Sequence, residues 1–325
     1  MNSQPLIIIN HVAARARRAW PIIRARLDYN GIGYDVYETE KPGDATACTR
    51  SALERGGRII GLVGGDGTLS EAAAGYFTPP SGIDKSSNEF PLPINSEAAL
   101  AIFPAGTGDD FARNLVGRRA PLEHWIKCFI AHCQGSPEKT TRVVDVIRVR
   151  TDSRQVICIN ASTLGLGGET AARVAAQGAW MRRFSGEARF VVAAMGALAA
   201  WRERPVKVDI DGEMVIEGPM NLLAVANARF AGGGMMLSPQ AELDDGKLDV
   251  VTARGLNRTT ILRELTRIHK GGHVANRKVK IVQGGCVDIQ TSAPEDALLI
   301  EVDGNVCGRT PADYWIMPSA LRIVS

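Results

Sequence analysis

A glycine-dense segment between a buried strand and a helix constrains the fold of this chain most. Residues 58–63 are short and mostly apolar, as is typical of a buried strand, and Gly64-Gly65-Asp66-Gly67 follows them directly. The Ala-rich residues 70–76 then predict a helix. A strand, a tight turn and a helix in succession indicate an α/β unit, whose turn presents backbone N–H groups that can hold phosphate oxygens. The alternative is an ordinary tight turn, because glycine and aspartate tolerate positive φ angles.

The same alternation of strands and helices runs through the first third of the chain. It predicts strands at residues 6–10, 34–38, 58–63 and 99–103, and helices at residues 12–29, 44–55 and 70–76. Such alternation favours a parallel sheet covered by helices on both faces. Ligands of these sheets bind beyond the carboxyl ends of the strands, which is where the glycine segment falls.

Beyond residue 138 the pattern changes to strands separated by Gly, Asp or Pro. Strands are predicted at residues 141–150, 155–160, 206–210, 221–226, 247–252, 279–282, 286–290 and 298–302, with helices at 185–202 and 258–270. This succession predicts an antiparallel sandwich or barrel. We therefore expect an α/β domain over residues 1–138, which residues 314–325 can complete, and a β domain over residues 139–313. Residues 78–97 predict a long surface loop.

Charge and composition exclude several classes of protein. The net charge of +3 gives no sign of a nucleic-acid partner. The apolar run at residues 190–201 is about twelve residues, short of the roughly twenty that cross a bilayer. Arginines are concentrated in two places, which predict either a solvated surface or contact with an anionic ligand or membrane. They are Arg15, Arg17, Arg18, Arg24 and Arg26, and then Arg182 and Arg183.

The six cysteines form no C-x-x-C pair and lie mostly in apolar patterns. This distribution predicts free, buried thiols in a reducing compartment. No secretion signal is evident, because the apolar run at residues 5–9 is too short for one. We expect a cytoplasmic protein that is able to contact a membrane peripherally, and the sequence leaves the oligomeric state open.

A second turn of the same kind follows the strand at residues 99–103. It reads Pro104-Ala105-Gly106-Thr107-Gly108-Asp109-Asp110 and opens a further helix. The Thr107 hydroxyl is able to donate to a phosphate, and two carboxylates stand beside it. Two glycine-rich turns at strand ends of one sheet are expected to face each other across a nucleotide.

These motifs together resemble the diacylglycerol kinase catalytic-domain family, which includes YegS-type lipid kinases and sphingosine kinases. Residues 64–71 are similar to the family's GGDGT-x-x-E turn, and residues 104–112 to its P-x-GT-x-NDFA turn. In the second half, residues 227–234 resemble its N-x-x-x-x-GGG segment and residues 243–249 its L-x-DG-x-L-D motif. Residues 303–305 stand where the family has DGE. The motifs cover nearly the whole chain in the family's order.

The resemblance implies a Rossmann-like α/β domain of the NAD-kinase and diacylglycerol-kinase type, followed by an all-β sandwich, with ATP in the cleft between them. It implies transfer of the γ-phosphoryl group of ATP to a lipid hydroxyl. The implied ATP-binding residues are Thr39, Gly64, Gly65, Asp66, Gly67, Thr68, Leu69, Ser70, Glu71, Gly106 and Thr107. The implied Mg²⁺ site is Asp245 with the backbone carbonyls of Glu242 and Lys247. Residues 243–246 are also read as a turn between strands.

An alcohol attacks well only when a carboxylate accepts its proton, and the carboxylates expected here are Asp66 and Asp303. We assign Asp66 to metal or phosphate positioning and Asp303 to the neighbourhood of the acceptor. Asn305 occupies the position of the family's usual proton-accepting Glu, and an amide is no base. Two alternatives therefore stand beside the lipid kinase: a nucleotide- or lipid-binding relative without turnover, and a small-molecule kinase of the NAD kinase type.

Two further positions depart from the family pattern. Asp109 replaces the usual Asn of GT-x-NDFA, so its charge near phosphates needs a metal ion or Arg113 to compensate it. The family's N-P-x-S-G turn is absent, since His11 and Val12 follow Asn10. The apolar helix at residues 185–202 is expected either to line an acyl pocket or to be an ordinary packed helix.

Overall fold

The computed structural model describes residues 4–79, 89–178, 180, 181, 184 and 186–325. The chain divides into two compact units, of which the first comprises Met1–Val146 with Pro318–Ser325 and the second Ile147–Met317. The sequence placed the first boundary at residue 138, whereas contacts place it between Val146 and Ile147. Each unit is described separately.

The first unit is an α/β unit built on a parallel sheet. Its strands are β1 (Leu6–Ile9), β2 (Asp35–Glu38), β3 (Ile59–Gly64) and β4 (Ala99–Pro104), with part of β5 (Thr141–Arg150) and of β18 (Ala312–Val324). Its helices are α1 (Ala14–Tyr29), α2 (Asp44–Glu54), α3 (Asp66–Tyr76), α4 (Asp110–Val116), α5 (Leu122–Cys133) and α6 (Pro137–Thr140).

The parallel strands follow the order β2-β1-β3-β4, and the end of β18 continues the sheet beside β4. Ile323 lies opposite Leu100 in that last pairing. The isoleucines of β1 are entirely or almost entirely buried (Ile7, Ile8 and Ile9). Full burial of consecutive residues is what a parallel strand covered on both faces requires, so the predicted α/β sheet is confirmed.

The second unit consists mainly of strands. They are the rest of β5 and β18, with β6 (Gln155–Cys158), β7 (Ala161–Gly165), β8 (Arg204–Ile210), β9 (Glu213–Met220), β10 (Leu222–Ala226), β11 (Phe230–Ala231), β12 (Met235–Met236), β13 (Leu248–Ala253), β14 (Val279–Gly284), β15 (Cys286–Thr291), β16 (Leu299–Val302) and β17 (Asn305–Arg309). Its helices are α7 (Leu166–Ala175), α8 (Gly186–Ala200) and α9 (Arg258–Arg267), with short 3-10 turns at Ile268–Lys270, Gly272–Ala275 and Pro294–Asp296.

These strands form two main sheets that share one core. One sheet runs β6-β5-β18-β15-β8-β9 and the other β14-β13-β10-β7-β16-β17. Alternate residues of both sheets point into the shared core, as Val208 and Ile210 do from β8 and Ile300 and Val302 from β16. Two sheets that enclose one core form a sandwich, which confirms the predicted β-sandwich.

Helix α7 was missed because its first turn, Leu166-Gly167-Gly168, reads as a loop. Both glycines are required by close packing. A Cβ atom on Gly168 would lie 2.2 Å from the Leu299 carbonyl oxygen, and one on Gly167 would lie 2.4 Å from Thr163 Oγ1. The helix therefore rests directly on β7 and β16, an arrangement that sequence periodicity does not report.

Helix α8 has one buried and one exposed side. Ala197 and Leu198 join a small core with Leu256, whereas Val191 and Val192 are more than half exposed. This is the arrangement of a helix packed on one side. None of the helices in the described parts of the chain is long and apolar enough to cross a membrane.

All six cysteines are free, but only Cys158 and Cys307 are buried and the other four are partly exposed. The prediction of buried thiols was therefore wrong for most of them, because their neighbours cover only one side of the strand or helix. Arg182 and Arg183 lie outside the described residues, as do residues 80–88 of the predicted loop.

Candidate functional site

Close packing explains the first glycine turn, which joins β3 to α3. Gly65 has φ −103°, so the turn does not use the positive φ angle that the ordinary-turn alternative invoked. A Cβ atom on Gly64 would lie 2.5 Å from Thr68 Oγ1. That hydroxyl in turn accepts a hydrogen bond of 3.0 Å from Asn10 Nδ2. The turn is thus tied to the end of β1 as well as to β3.

The second glycine turn lies directly against the first. A Cβ atom on Gly65 would lie 2.8 Å from Gly106 Cα, and one on Gly106 would lie 2.6 Å from Gly65 Cα. The strands that precede them are parallel neighbours, with Gly64 opposite Pro104. The two turns therefore adjoin with no room for a side chain, whereas the sequence had predicted that they face each other across a nucleotide.

Asp66 joins the beginnings of two helices. It is the first residue of α3, and its carboxylate accepts hydrogen bonds from the backbone N–H groups of Asp110 at 3.1 Å and Phe111 at 3.0 Å. Those amides open α4, so the carboxylate is held by amides that lack partners within the helix. Asp66 remains partly exposed, and the neighbouring Gly67 is exposed.

Asp109 completes the second turn in a left-handed conformation, with φ 50°. Aspartate and asparagine adopt this conformation more readily than most residues. Its Oδ1 accepts a hydrogen bond of 2.8 Å from the Gly106 N–H. Burial raises the pKa of Asp109 and the Asp66 charge adds to this, while the Gly106 amide and the guanidinium groups of Arg119 and Arg15 oppose the rise.

The charge opposite Asp109 comes from Arg15, which the sequence named only within a cluster of arginines, and from Arg119, which it did not name. Arg15 Nη1 donates to the Gly106 carbonyl at 2.5 Å. Arg119 Nη2 donates to the carbonyls of Thr107 at 2.6 Å and Gly108 at 3.0 Å. The cations that lower the Asp109 pKa most are Arg119 and Arg15, whereas the sequence had suggested Arg113. Neither Arg15 nor Arg119 belongs to a motif, so their contacts with the second turn are seen only in the folded chain.

The other implied nucleotide residues line the same edge of the sheet or lie behind it. Thr39 follows β2 and is 9% exposed, with its N–H bonded to the Ile9 carbonyl at 2.9 Å. Thr107 is exposed, whereas Thr68 and Leu69 are buried in the first turn of α3. Ser70 and Glu71 are partly buried, and the Glu71 carbonyl accepts a bond from Thr46.

Asp303 lies in the tight turn between β16 and β17 of the second unit, with φ 45°. Its carboxylate accepts hydrogen bonds from the N–H groups of Ile159 at 2.8 Å and Asn160 at 3.0 Å. Burial raises the pKa of Asp303, and these amide donors oppose the rise. Both oxygens thus hold the backbone between β6 and β7. Asn305 is exposed and contacts the Asp303 carbonyl at 3.5 Å.

Glu301 is a buried carboxyl group that the sequence analysis missed. It is 9% exposed, accepts a hydrogen bond of 2.5 Å from Thr163 Oγ1, and also accepts from the Gly304 N–H. Burial raises its pKa to about 7, against the hydrogen bonds of Thr163 and Gly304. The apolar neighbours Ile300 and Val302 alternate with Glu301, a pattern that places Glu301 on the other face of the strand. The cover of α7 on that face was the missing information.

The implied metal residues lie in the segment before β13. Asp245 Oδ1 accepts a hydrogen bond of 3.0 Å from the Lys247 N–H, and Gly246 has φ 72°, so the segment is a tight turn. Among the described residues, no three His, Cys, Asp or Glu side chains cluster to hold a metal. One carboxylate with the carbonyls of Glu242 and Lys247 is an oxygen-only set, which fits a hard cation such as Mg²⁺ that keeps several waters.

Comparison with known proteins covers the chain in two parts. Residues 4–149 match the diacylglycerol kinase catalytic domain, and residues 143–325 match the YegS C-terminal NAD kinase beta sandwich-like domain. A diacylglycerol kinase of Mycobacterium tuberculosis (strain ATCC 25618 / H37Rv) is 25% identical over 301 residues, covering 92% of this chain and 87% of the relative. A Stenotrophomonas maltophilia (strain K279a) protein named "Probable lipid kinase YegS-like" is 31% identical over 221 residues, covering 68% and 64%.

Solved structures share the fold. A diacylglycerol kinase from Bacillus anthracis str. Sterne has a TM-score of 0.67 at 18% identity, covering 99% of this chain and 96% of that one. Yeast NADH kinase complexed with NADH has a TM-score of 0.54 at 11% identity, covering 100% and 84%. An α/β unit followed by a β-sandwich is thus the fold that this chain shares with diacylglycerol kinases and NAD kinases. Within it, the chain belongs to the diacylglycerol kinase family with a YegS-type C-terminal domain.

Proposed function

We propose that this chain is an ATP- and Mg²⁺-dependent lipid kinase that transfers the γ-phosphoryl group of ATP to a hydroxyl of a diacylglycerol-like lipid. The observation that carries the proposal is the direct contact of Gly65 with Gly106, in a chain that belongs to a family of kinases. The contact brings the beginnings of α3 and α4 together through Asp66. Helix beginnings and their N–H groups are favourable surroundings for phosphate.

In this proposal the nucleotide lies on the two glycine turns. Nothing lies within 4 Å of the position that a Cβ atom on Gly67 would take, so a phosphate oxygen is able to approach the backbone there. The exposed Thr107 hydroxyl is available to donate. Thr68 and Leu69 are buried, so they contribute backbone groups and the shape of the turn. Thr39, Ser70 and Glu71 complete the proposed nucleotide site.

Asp66 is the carboxylate that we propose as the proton acceptor. It is partly exposed, stands between the glycine turns, and is oriented by two amides. Asp303 is the weaker candidate, because three backbone N–H groups of residues 159–161 hold its carboxylate, against two for that of Asp66. We therefore propose that Asp303 positions the β16–β17 turn. Asn305 cannot take a proton at neutral pH.

The proposed Mg²⁺ site comprises Asp245 with the carbonyl oxygens of Glu242 and Lys247. A bound cation there would fix the turn before β13. For the location of the protein we propose the cytoplasm with peripheral membrane contact, because the acceptor lipid resides in a bilayer. The exposed arginines of α1 suit an anionic membrane surface.

The proposal is tested with purified protein, γ-labelled ATP and Mg²⁺, presented with mixed micelles of diacylglycerol, monoacylglycerol or sphingosine, and separately with NAD⁺. We expect label in the organic phase from at least one lipid, loss of label with EDTA, and loss of label with Asp66→Asn. Asp35→Asn, an exposed aspartate on β2, is the matched control and should keep full activity.

Two other outcomes decide against lipid transfer. Label found only in a product of NAD⁺ would assign the chain to small-molecule kinases, whose fold it shares with yeast NADH kinase. If ATP raises the melting temperature but no acceptor is labelled, the chain is a binding relative, in keeping with Asn305 at the position of the usual Glu.

A further inference from the structure

We infer that Arg15 and Arg119 bind the nucleotide's phosphates and compensate for Asp109, which makes the three residues one charge-balanced unit in the phosphate turn. The inference rests on the proposed function, because it assumes that the glycine turns receive a nucleotide. It adds two phosphate-binding side chains that stand outside every motif, and it gives Asp109 a defined electrostatic partner.

One of the two guanidinium groups comes from before the second turn in sequence and the other from after it. Arg15 begins on α1, 91 positions before Gly106, whose carbonyl it contacts. Arg119 follows α4 and contacts the next two carbonyls, those of Thr107 and Gly108. Three consecutive carbonyls thus receive two guanidinium groups. Both arginine side chains are largely exposed and so are accessible to a ligand.

These contacts leave donors for a ligand. A guanidinium group carries five N–H donors. Across the described part of the chain, Arg15 uses one of its nitrogens for the Gly106 carbonyl and Arg119 uses one for two carbonyls. A neutral carbonyl is a weaker partner for a cation than a phosphate oxygen, because the phosphate bond is charge-assisted and can be bidentate. An arriving phosphate is therefore able to add to, or replace, the carbonyl contacts.

Asp109 explains why the turn would need these cations. Its Oδ1 accepts the Gly106 N–H and its φ is positive, and an asparagine could meet both requirements without a charge. The turn geometry therefore does not require the negative charge. That charge repels phosphate, together with Asp66 a few ångströms from the same turn. Arg15 and Arg119 are the cations that act on Asp109.

The test is a double-mutant cycle on ATP affinity, measured by isothermal titration calorimetry without any lipid acceptor. We expect Arg15→Gln with Arg119→Gln to weaken ATP binding by about tenfold or more. Adding Asp109→Asn to that pair should recover part of the loss, because it removes the charge that the arginines compensate but does not restore their contacts with the phosphates. Arg18→Gln with Arg118→Gln removes the same charge from exposed neighbours and should change the affinity less than about twofold.

A purely structural role predicts different results. Loss of the carbonyl contacts alone would lower the melting temperature, weaken AMP and ATP binding equally, and show no rescue by Asp109→Asn. Any of these patterns, or unchanged ATP affinity in the double variant, overturns the inference and leaves the proposed function intact. If the wild-type chain binds no ATP, the proposed function fails and the inference with it.

One more arm identifies the source of the phosphate. Sedimentation with phosphatidylglycerol vesicles is measured for the same variants in the absence of nucleotide. The inference expects vesicle binding to be no more affected by the Arg15 and Arg119 changes than by the Arg18 and Arg118 changes. Loss of vesicle binding with ATP affinity unchanged would assign the two arginines to lipid phosphates and overturn the inference.

Discussion

The glycine turns of the first unit and the β16–β17 turn of the second unit each carry an acidic motif residue. The hydrogen bonds of the two carboxylates differ. Both aspartates are partly exposed, and two amides orient the Asp66 carboxylate. The Asp303 carboxylate accepts hydrogen bonds from the backbone N–H groups of residues 159–161. A motif aspartate is therefore not by itself a candidate base. Its partners decide whether the carboxylate faces a ligand or supports a turn.

The largest expected effect separates these two aspartates by function. Asp66→Asn should lower turnover by a factor of about 10² to 10⁴, the range of general-base catalysis, while ATP affinity changes only a few-fold. Asp303→Asn should instead act on stability, because it weakens the hydrogen bonds to Ile159 and Asn160. Steady-state kinetics and urea unfolding of both variants check this. Full activity in Asp66→Asn would remove it from the proposed role.

Glu301 gives the second unit a pH dependence of stability that reaches neutral pH. Its folded-state pKa of about 7 lies above the ordinary value of 4.5, so folding favours the protonated form. Its contribution to stability is complete below about pH 4.5 and is lost as pH rises through 7. The change is on the order of 3 kcal/mol.

In Glu301→Gln the free energy of unfolding should therefore change less between pH 4.5 and 7 than in the wild type. At pH 8 the variant should be more stable than the wild type. Urea unfolding at several pH values measures both curves. The buried His132 and His273 have lowered pKa values and affect both proteins alike, so the difference between the curves isolates Glu301. Parallel curves across this range would contradict the expectation.

Gly65 and Gly67 test whether close approach rather than flexibility requires glycine in the first turn. Gly65→Ala places a methyl group 2.8 Å from Gly106 Cα, so it should cost about 1–3 kcal/mol of stability, the usual penalty of overpacking. Gly67→Ala meets no atom within 4 Å and lies inside α3, where alanine is about 1 kcal/mol better than glycine. Urea unfolding should show that Gly65→Ala is less stable than the wild type and that Gly67→Ala is more stable.

Asn305→Glu has the smallest expected effect. If Asp66 accepts the proton, restoring the family's glutamate at an exposed position should change turnover less than about threefold. The initial rate of lipid phosphorylation at saturating ATP measures it, with Asn305→Gln as the neutral control of equal size. A tenfold rise in this rate for Asn305→Glu, with no rise for Asn305→Gln, would indicate that the residue at position 305 is the proton acceptor.

The parts of the fold that could be predicted are those that depend on residues close together in the sequence. The strand, glycine and helix order located β3, α3, β4 and α4 within a few residues, because burial and turn chemistry act on neighbours. The helix α7 was missed, since Gly167 and Gly168 serve contacts with β7 and β16 that lie far away in sequence. Arg119 and Glu301 were missed for the same reason, and Arg15 was predicted only as one of a cluster of arginines. Each gains its role from a residue that only folding brings near.

The strand β18 carries a consequence for how the first unit assembles. Its last residues pair with β4, and Ser319 donates to the buried Asp145 at 2.7 Å. During synthesis the sheet therefore cannot be completed until the roughly 170 residues between the two segments of the first unit have left the ribosome. Until then one edge of β4 has no partner strand. Open strand edges invite wrong partners. A fragment that ends at residue 146 would expose that edge permanently, and we expect it to aggregate on expression.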